Sequence, residues 1–140
     1  MNKIKSISLM FPLYKDRNTV KLMITKSSNV LRKLKIKYEI IIVDDDSPDE
    51  TWRLVKELNH EKVNLIHRTE EKGLASALAT GVAASKGEIV VWLDCDLGIP
   101  PEEIITLIGH LNIYDVSIGS RYVSKGSDSR AKWITCSSFL

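Results

Sequence analysis

The chain of 140 residues is long enough for one domain of ordinary size, and its 44% hydrophobic and 27% charged content is that of a globular protein. A net charge of +2 argues against nucleic-acid binding, and no apolar run reaches the ~20 residues that a bilayer-spanning helix needs. Cys95 and Cys136, without CxxC or Cys/His spacing, argue against a disulfide framework or a zinc site and fit a reducing compartment.

Residues 1–14 have a basic start and a short apolar run but no small-residue cleavage site, so ISLMFPL (7–13) reads as a first strand, not a signal peptide. Val20, Met23, Ile24, Ser27, Val30, Leu31 and Leu34 then fall at helical spacing. YEIIIVDD (38–45) is apolar on both faces, as a strand of a parallel sheet should be. In SPDETWRLVKEL, Ser47 suits a helix N-cap, Pro48 the first helical position and Glu50 the closing member of a capping box. KVNLIH (62–67) is a third strand, GLASALATGVAASKG (73–87) a helix of small residues, and EIVVWLD (88–94) a fourth strand. PPEEIITLIGHL opens with residues suited to a helix N-terminus and places Ile104, Leu107, Ile108 and Leu111 on one face; DVSIGSR (115–121) reads as a fifth strand. The last ten residues, AKWITCSSFL, begin an apolar pattern without a cap or polar tail and read as a chain cut where a longer protein continues.

Five alternations with short connections predict a three-layer α/β domain around a mostly parallel sheet, a single unit over residues 1–140 that is incomplete at its C-terminal end. Ligands of such folds bind beyond the carboxyl ends of the strands, where strand order switches. The polar residues collect there: PLYKD (12–16) after the first strand, DDDS (44–47) after the second, His67 and Arg68 after the third, DCDLG (94–98) after the fourth and SRYVSKGSDSR (120–130) after the fifth.

Asp94 and Asp96 are two positions apart at the end of an apolar strand, so an extended backbone points both carboxylates the same way. Like charges so placed repel, and oxygen ligands without cysteine or histidine suit Mg2+ or Mn2+. Two carboxylates leave coordination positions for water and for substrate phosphates. No GxGxxG or GxxxxGK[ST] loop is present, so metal and arginines would have to manage a nucleotide's phosphates.

The segments PLYKD, IIIVDDDSPDET, EKGLASALATGVAASKGEIVVWLDCDLGIPPEEI and VSIGSRYVSKGSDSR resemble, in order and spacing, the inverting family 2 glycosyltransferases, and among them the dolichol-phosphate mannose synthase and polyprenyl-phosphate glycosyltransferase branch. The resemblance runs from about residue 6 to about residue 133. It implies a GT-A fold, a nucleotide-diphosphate sugar donor of GDP-mannose or UDP-glucose type, a divalent metal, a polyprenyl or dolichyl phosphate acceptor, and a place at the cytoplasmic face of a membrane with peripheral contact. It implies that Pro12, Tyr14 and Asp16 line the nucleotide base and that Asp45, or its neighbour Asp44, hydrogen-bonds it. Asp94 and Asp96 match the DxD metal motif, with Asp96 the firmer ligand; Arg121 and Arg130 match arginines that face the acceptor phosphate, and Arg68 is placed with the nucleotide-binding residues. Departures are Leu13 for a common threonine, Lys15 for a common asparagine, Asp16 for a longer glutamate, and Gly98 where relatives often carry a polar residue that helps bind metal.

A phosphate acceptor is anionic near neutral pH, so the implied transfer needs positioning and charge stabilisation rather than a general base. A receiver-like signalling module would want its acidic pair after the first strand, which ends in Pro-Leu-Tyr, and a nucleotidyltransferase would want a glycine-rich segment there. The remaining rival is a truncated or degenerate transferase domain that binds nucleotide sugar without turnover.

Overall fold

The computed structural model describes residues 4–120 and Tyr122. Eight elements alternate along the chain: β1 (Ser6–Leu13), α1 (Val20–Lys33), β2 (Lys37–Asp44), α2 (Thr51–Glu57), β3 (Val63–His67), α3 (Leu74–Ala84), β4 (Ile89–Trp92) and α4 (Glu103–His110). The four strands form one all-parallel sheet in the order β3-β2-β1-β4. The predicted α/β alternation is borne out over these elements.

Both sheet faces are covered, which is why β1 and β2 are almost continuously apolar. On one face Leu9, Phe11, Ile40 and Ile42 meet Val20, Met23, Ile24 and Leu31 of α1, Val55 of α2 and Ile104 of α4. On the other face Ile41 and Val43 pack on Ala77 of α3. The small residues of α3 let it lie close: a Cβ on Gly81 would come within 1.8 Å of Met10 Sδ, so a larger residue there would displace the methionine.

Three sequence expectations are corrected. The helix expected from Pro48 begins at Thr51, and the Ser47–Glu50 capping box does not form. Ser47 is captured instead by a buried carboxylate: its N–H and Oγ–H donate to Asp44 Oδ1 and Oδ2 at 2.9 and 2.8 Å. The Ser47 carbonyl then accepts from Glu50 N–H at 3.0 Å, and Glu50 takes a left-handed φ of 59°. Asp49 closes the loop, its Oδ1 accepting from Thr51 N–H and Oγ1–H at 3.1 and 2.6 Å.

The helix expected over 73–87 ends at Ala84, because Ser8 Oγ and Glu39 Oε1 take the backbone N–H groups of Lys86 and Gly87 for the next turn. The fifth strand is absent from residues 115–120: Val116 and Ile118 are 72% and 82% exposed, and a strand without a partner has no ladder to hold it. Arg121 and the rest of that expected segment's sequel lie outside the described residues.

Strand order reverses at β1, which has β2 on one side and β4 on the other. The carboxyl ends of β1, β2 and β4 therefore border the crevice where this architecture binds ligands.

Candidate active site

The crevice opens because two ladders stop at different lengths. β1 pairs with β2 as far as Leu13 and Asp44, whereas its last paired residue toward β4 is Met10, opposite Trp92. Leu93 N–H still donates to Met10 O at 3.1 Å, and Pro12, lacking an N–H, cannot extend that ladder.

Beyond β1 the chain turns through Lys15, whose φ is 67°. Lys15 N–H donates to Ser47 Oγ at 3.1 Å and Tyr14 N–H to Asp16 Oδ2 at 3.0 Å. Tyr14 is left 55% exposed, with Lys15 Nζ 5.1 Å from its ring centroid. Asp16 is half-buried, and its carboxyl is held above the usual value of 3.8, chiefly by burial and further by the charges of Asp49, Asp96 and Asp44. The Tyr14 N–H bond opposes that rise. Asp16 and Asp96 thus lie close enough to feel each other's charge.

After β2 three successive aspartates have three different surroundings. Asp44 is fully buried and spends both oxygens on Ser47. Asp45, 7% exposed, accepts from Arg68 Nε at 2.7 Å, from Arg68 Nη2 at 2.5 Å and from Gly73 N–H at 2.7 Å. Arg68 gives its remaining N–H groups to Gly73 O, Ser76 Oγ and Thr80 Oγ1 at 3.3, 3.1 and 3.3 Å. A guanidinium has five N–H donors, and here all five end on protein acceptors. Arg68 therefore ties β2, β3 and the start of α3 together.

Asp46 is the open member, its side chain 43% exposed. Its φ is 56°, a left-handed conformation that aspartate tolerates better than most residues. Oδ1 meets His67 Nε2 at 3.0 Å and Oδ2 meets Lys72 Nζ at 3.4 Å, and these two partners hold its carboxyl below the usual range. The His67 ring stacks on Trp52 at 4.3 Å and 13° between planes, and the Arg53 guanidinium lies over the Trp52 ring, 5.0 Å from its centroid. Tyr14, Asp46, Ser47, Pro48, Glu50, Trp52 and Lys72 line a groove of about 380 Å³. Sequence reasoning assigned no role to Asp46 or Trp52. The available signal was a third acid directly before Ser-Pro, in a turn whose left-handed backbone suits Asp or Asn.

At the end of β4 the alternation of exposure continues past the strand: Val91, Leu93 and Cys95 are buried, while Trp92, Asp94 and Asp96 are exposed. Both acids are exposed in the segment that follows the strand. Asp96 Oδ1 accepts from Gly98 N–H at 2.8 Å, across Leu97 at φ 63°. Cys95, between them, packs into the core, where Thr19 Oγ1–H meets its Sγ at 3.8 Å. Burial, then the charges of Asp16, Asp96 and Asp94, push its thiol up to about 12, so it stays neutral and unreactive.

These surroundings fit a hard divalent cation. Asp94 and Asp96 offer exposed oxygens, and Asp16 adds negative charge close by. Among the described residues no group of three or more His, Cys, Asp or Glu side chains could by itself hold a metal ion. The structure thus gathers Pro12, Tyr14, Asp16, Asp44, Asp45, Arg68, Asp94 and Asp96 at one end of the sheet. Arg121 and Arg130, expected at the acceptor, lie outside the described residues.

The sequence pattern of Glycosyl transferase family 2 matches residues 8–139, almost the whole chain. The chain belongs to this family. It is 43% identical over 122 residues to a dolichol-phosphate mannosyltransferase of Pyrococcus furiosus, a match covering 86% of this chain and 34% of that protein. It is 34% identical over 118 residues to the dolichol-phosphate mannosyltransferase of Saccharomyces cerevisiae, covering 82% of this chain and 44% of the relative. The chain thus spans less than half the length of these relatives. Among solved structures, a mannosyltransferase from Pyrobaculum calidifontis in complex with GDP-Man and Mn2+ superimposes with a TM-score of 0.55 at 27% identity, over 74% of this chain and 31% of that one. Glucosyl-3-phosphoglycerate synthase of Mycobacterium tuberculosis, in complex with Mn2+, UDP and phosphoglyceric acid, gives 0.63 at 24% identity, over 76% and 39%, a likeness of fold. The family 2 chain described here has the GT-A fold of these enzymes.

Proposed function

We propose that the chain is the donor-binding catalytic domain of an inverting glycosyltransferase. It would move a hexose from a GDP-mannose- or UDP-glucose-type donor to a polyprenyl or dolichyl phosphate. The observation that carries this reading is the solvent-facing pair Asp94 and Asp96 at the switch point of a parallel sheet, beside half-buried Asp16 and a groove walled by Tyr14. The relatives' names support the acceptor class, and the Pyrobaculum complex supports a nucleotide-sugar donor with a divalent ion.

Asp94 and Asp96 would hold Mn2+ or Mg2+, which when bound offsets the charge of a leaving diphosphate. The rest of the described site supplies position. Tyr14 and the wall from Asp46 to Trp52 accept a planar base, while the Asp45–Arg68 pair keeps the ends of β2 and β3 and the start of α3 in register beneath it. An acceptor phosphate arrives ionised near neutral pH, so no described side chain has to remove a proton from it. Arg121 and Arg130 are proposed to face the acceptor's charge, where a planar guanidinium suits phosphate oxygens. A polyprenyl acceptor would bring the protein to a membrane surface, proposed to be the cytoplasmic face; no helix among the described residues is long and apolar enough to cross one.

Calorimetric titration with GDP-mannose and UDP-glucose, with and without Mn2+, tests the reading. Binding should require the ion, be lost on adding EDTA, and be abolished in Asp96→Ala with the circular dichroism spectrum unchanged. Affinity indifferent to EDTA would sink it. The alternative is a domain that binds donor without turnover. Donor binding with no sugar transferred to polyprenyl phosphate would select that alternative.

A further inference from the structure

The groove has two lips, and they come from different connections. Tyr14 stands on the turn between β1 and α1, whereas Ser47, Pro48, Glu50 and Trp52 belong to the passage from β2 into α2. The β1–β2 ladder stops short of both. It ends at Leu13 opposite Asp44, with one further bond from Asp45 N–H to Leu13 O at 3.3 Å. Past that point the first turn reaches the second through Lys15 and Arg17. Lys15 N–H donates to Ser47 Oγ at 3.1 Å. Arg17 N–H donates to Asp49 Oδ2 at 3.3 Å, and its Nη1 donates to the carbonyls of Asp49 and Glu50 at 3.1 and 3.0 Å.

Those two carbonyls belong to the peptide groups on either side of Glu50, so Arg17 holds both of that residue's backbone torsions. They need holding. Glu50 has a φ of 59°, in the left-handed region that a glutamate rarely adopts, and such conformations persist where neighbours over-determine them. Nη1 carries two N–H donors, one for each carbonyl. A cation beside the first turn of a helix gains nothing from the helix dipole, so the contact contributes position more than stability. Arg17 itself does not line the groove.

We propose that Arg17 is a positioning residue for the donor. By tying the peptides around Glu50 to the β1–α1 turn, it sets the spacing between Tyr14 and the opposite wall, against which the donor's nucleoside rests. The inference rests on the donor-binding reading above. It divides one ligand between two supports: the nucleoside lies between the lips, and the diphosphate lies on the ion at Asp94 and Asp96. Loss of Arg17 should weaken the first and spare the second.

The test is a split between two ligands. Affinities for Mn2+–pyrophosphate and for Mn2+ with GDP or UDP, whichever the unsubstituted protein binds more tightly, are measured by calorimetry. They are compared among the protein, Arg17→Met and Arg17→Lys, with urea midpoints taken on the same samples. Arg17→Met should lower nucleotide affinity about tenfold, the scale of one hydrogen bond from a charged group. Pyrophosphate affinity should stay within about twofold, as for a site that shares no partner with the change. The urea midpoint should barely move, because the Arg17 side chain is exposed. Arg17→Lys, whose ammonium can still donate to a carbonyl, should bind nucleotide more tightly than Arg17→Met. Unchanged nucleotide affinity in Arg17→Met, or no rescue by lysine, overturns the assignment while leaving donor binding intact. A parallel fall in pyrophosphate affinity would make Arg17 a phosphate contact, and a parallel fall in midpoint a general stabiliser; either overturns it too. Nucleotide binding without pyrophosphate binding in the unsubstituted protein would overturn the division of the ligand. Failure of that protein to bind either nucleotide would instead overturn the donor reading, and this inference with it.

Discussion

The two sides of the crevice are built on opposite plans. On the β2–β3–α3 side the charges are sealed and answered: Arg68 has a protein acceptor for every N–H, and Asp44 and Asp45 are buried on internal donors. On the β4 side the charges stand in solvent, with Asp94 and Asp96 exposed beyond a short strand. The apolar surface follows the same division. Val90 and Trp92 of β4 are 37% and 49% exposed, whereas β1 and β2 are almost wholly covered. A sealed network holds geometry and leaves no donor for a ligand, while an open acidic rim can take a cation but contributes little to holding the fold. One side positions and the other receives.

Breaking that contrast should give its largest effect at Arg68. Arg68→Met removes the guanidinium and leaves the Asp45 charge buried with only Gly73 N–H. Removing one partner of a buried ion pair costs about 3–5 kcal/mol, enough to unfold a marginal domain. A urea melt should show the midpoint falling steeply, and Arg68→Lys, which cannot reach Ser76, Thr80, Gly73 and Asp45 together, should recover little. If Arg68→Met melts like the parent but binds nucleotide poorly, Arg68 belongs with the ligand contacts after all.

The rim should answer in the reverse sense. Asp94→Asn removes an exposed charge and should change the unliganded midpoint by no more than about 0.5 kcal/mol. What it should lose is the stabilisation that Mn2+ with a nucleoside diphosphate confers, about 2.7 kcal/mol at a hundredfold excess over Kd for a one-site ligand. Thermal melts with and without Mn2+–GDP measure both quantities on one sample. An Asp94→Asn protein still stabilised by the pair as much as the parent would remove Asp94 from the metal site.

The same contrast explains how much could be read in advance. Strands buried on both faces declare themselves, so IIIVD and ISLMF mark the sheet, and the helical spacing from Val20 to Leu31 gives α1 almost to the residue. The exposed acids at the end of β4 were legible too, because two-residue periodicity persists past the last ladder bond. Tertiary capture was not legible. Ser47 looks like a cap until the buried Asp44 takes its donors, and Arg68 looks like a phosphate ligand until Ser76 and Thr80, on a helix eight and twelve residues later, come within reach. DVSIGS has the composition of a strand, but strand formation depends on a distant partner that no local pattern encodes.

Asp16 lies where the two sides meet, and it sharpens the comparison at the smallest scale. Its carboxyl is raised by burial first and then by the charges of Asp49, Asp96 and Asp44, against the pull of the Tyr14 N–H. A raised carboxyl favours the folded state when protonated, so its contribution is full below the unfolded value of 3.8 and is lost as pH rises through the higher folded value. At neutral pH the ionised Asp16 therefore costs stability. Asp16→Asn keeps an oxygen that can accept from Tyr14 N–H and removes the charge, so it should stabilise the unliganded protein at about pH 7 by a few tenths of a kcal/mol, a figure kept small because a half-buried group is partly screened. The gain should vanish at about pH 3, where the native carboxyl is protonated in both states. Urea midpoints at the two pH values decide it. The gain should also disappear when Mn2+ and GDP are present, since a cation at Asp94 and Asp96 relieves the same crowding of negative charge that the substitution removes. A stabilisation that persists at low pH would show that Asp16 acts through packing instead of charge, and the link from Asp16 across to the acidic rim would be cut.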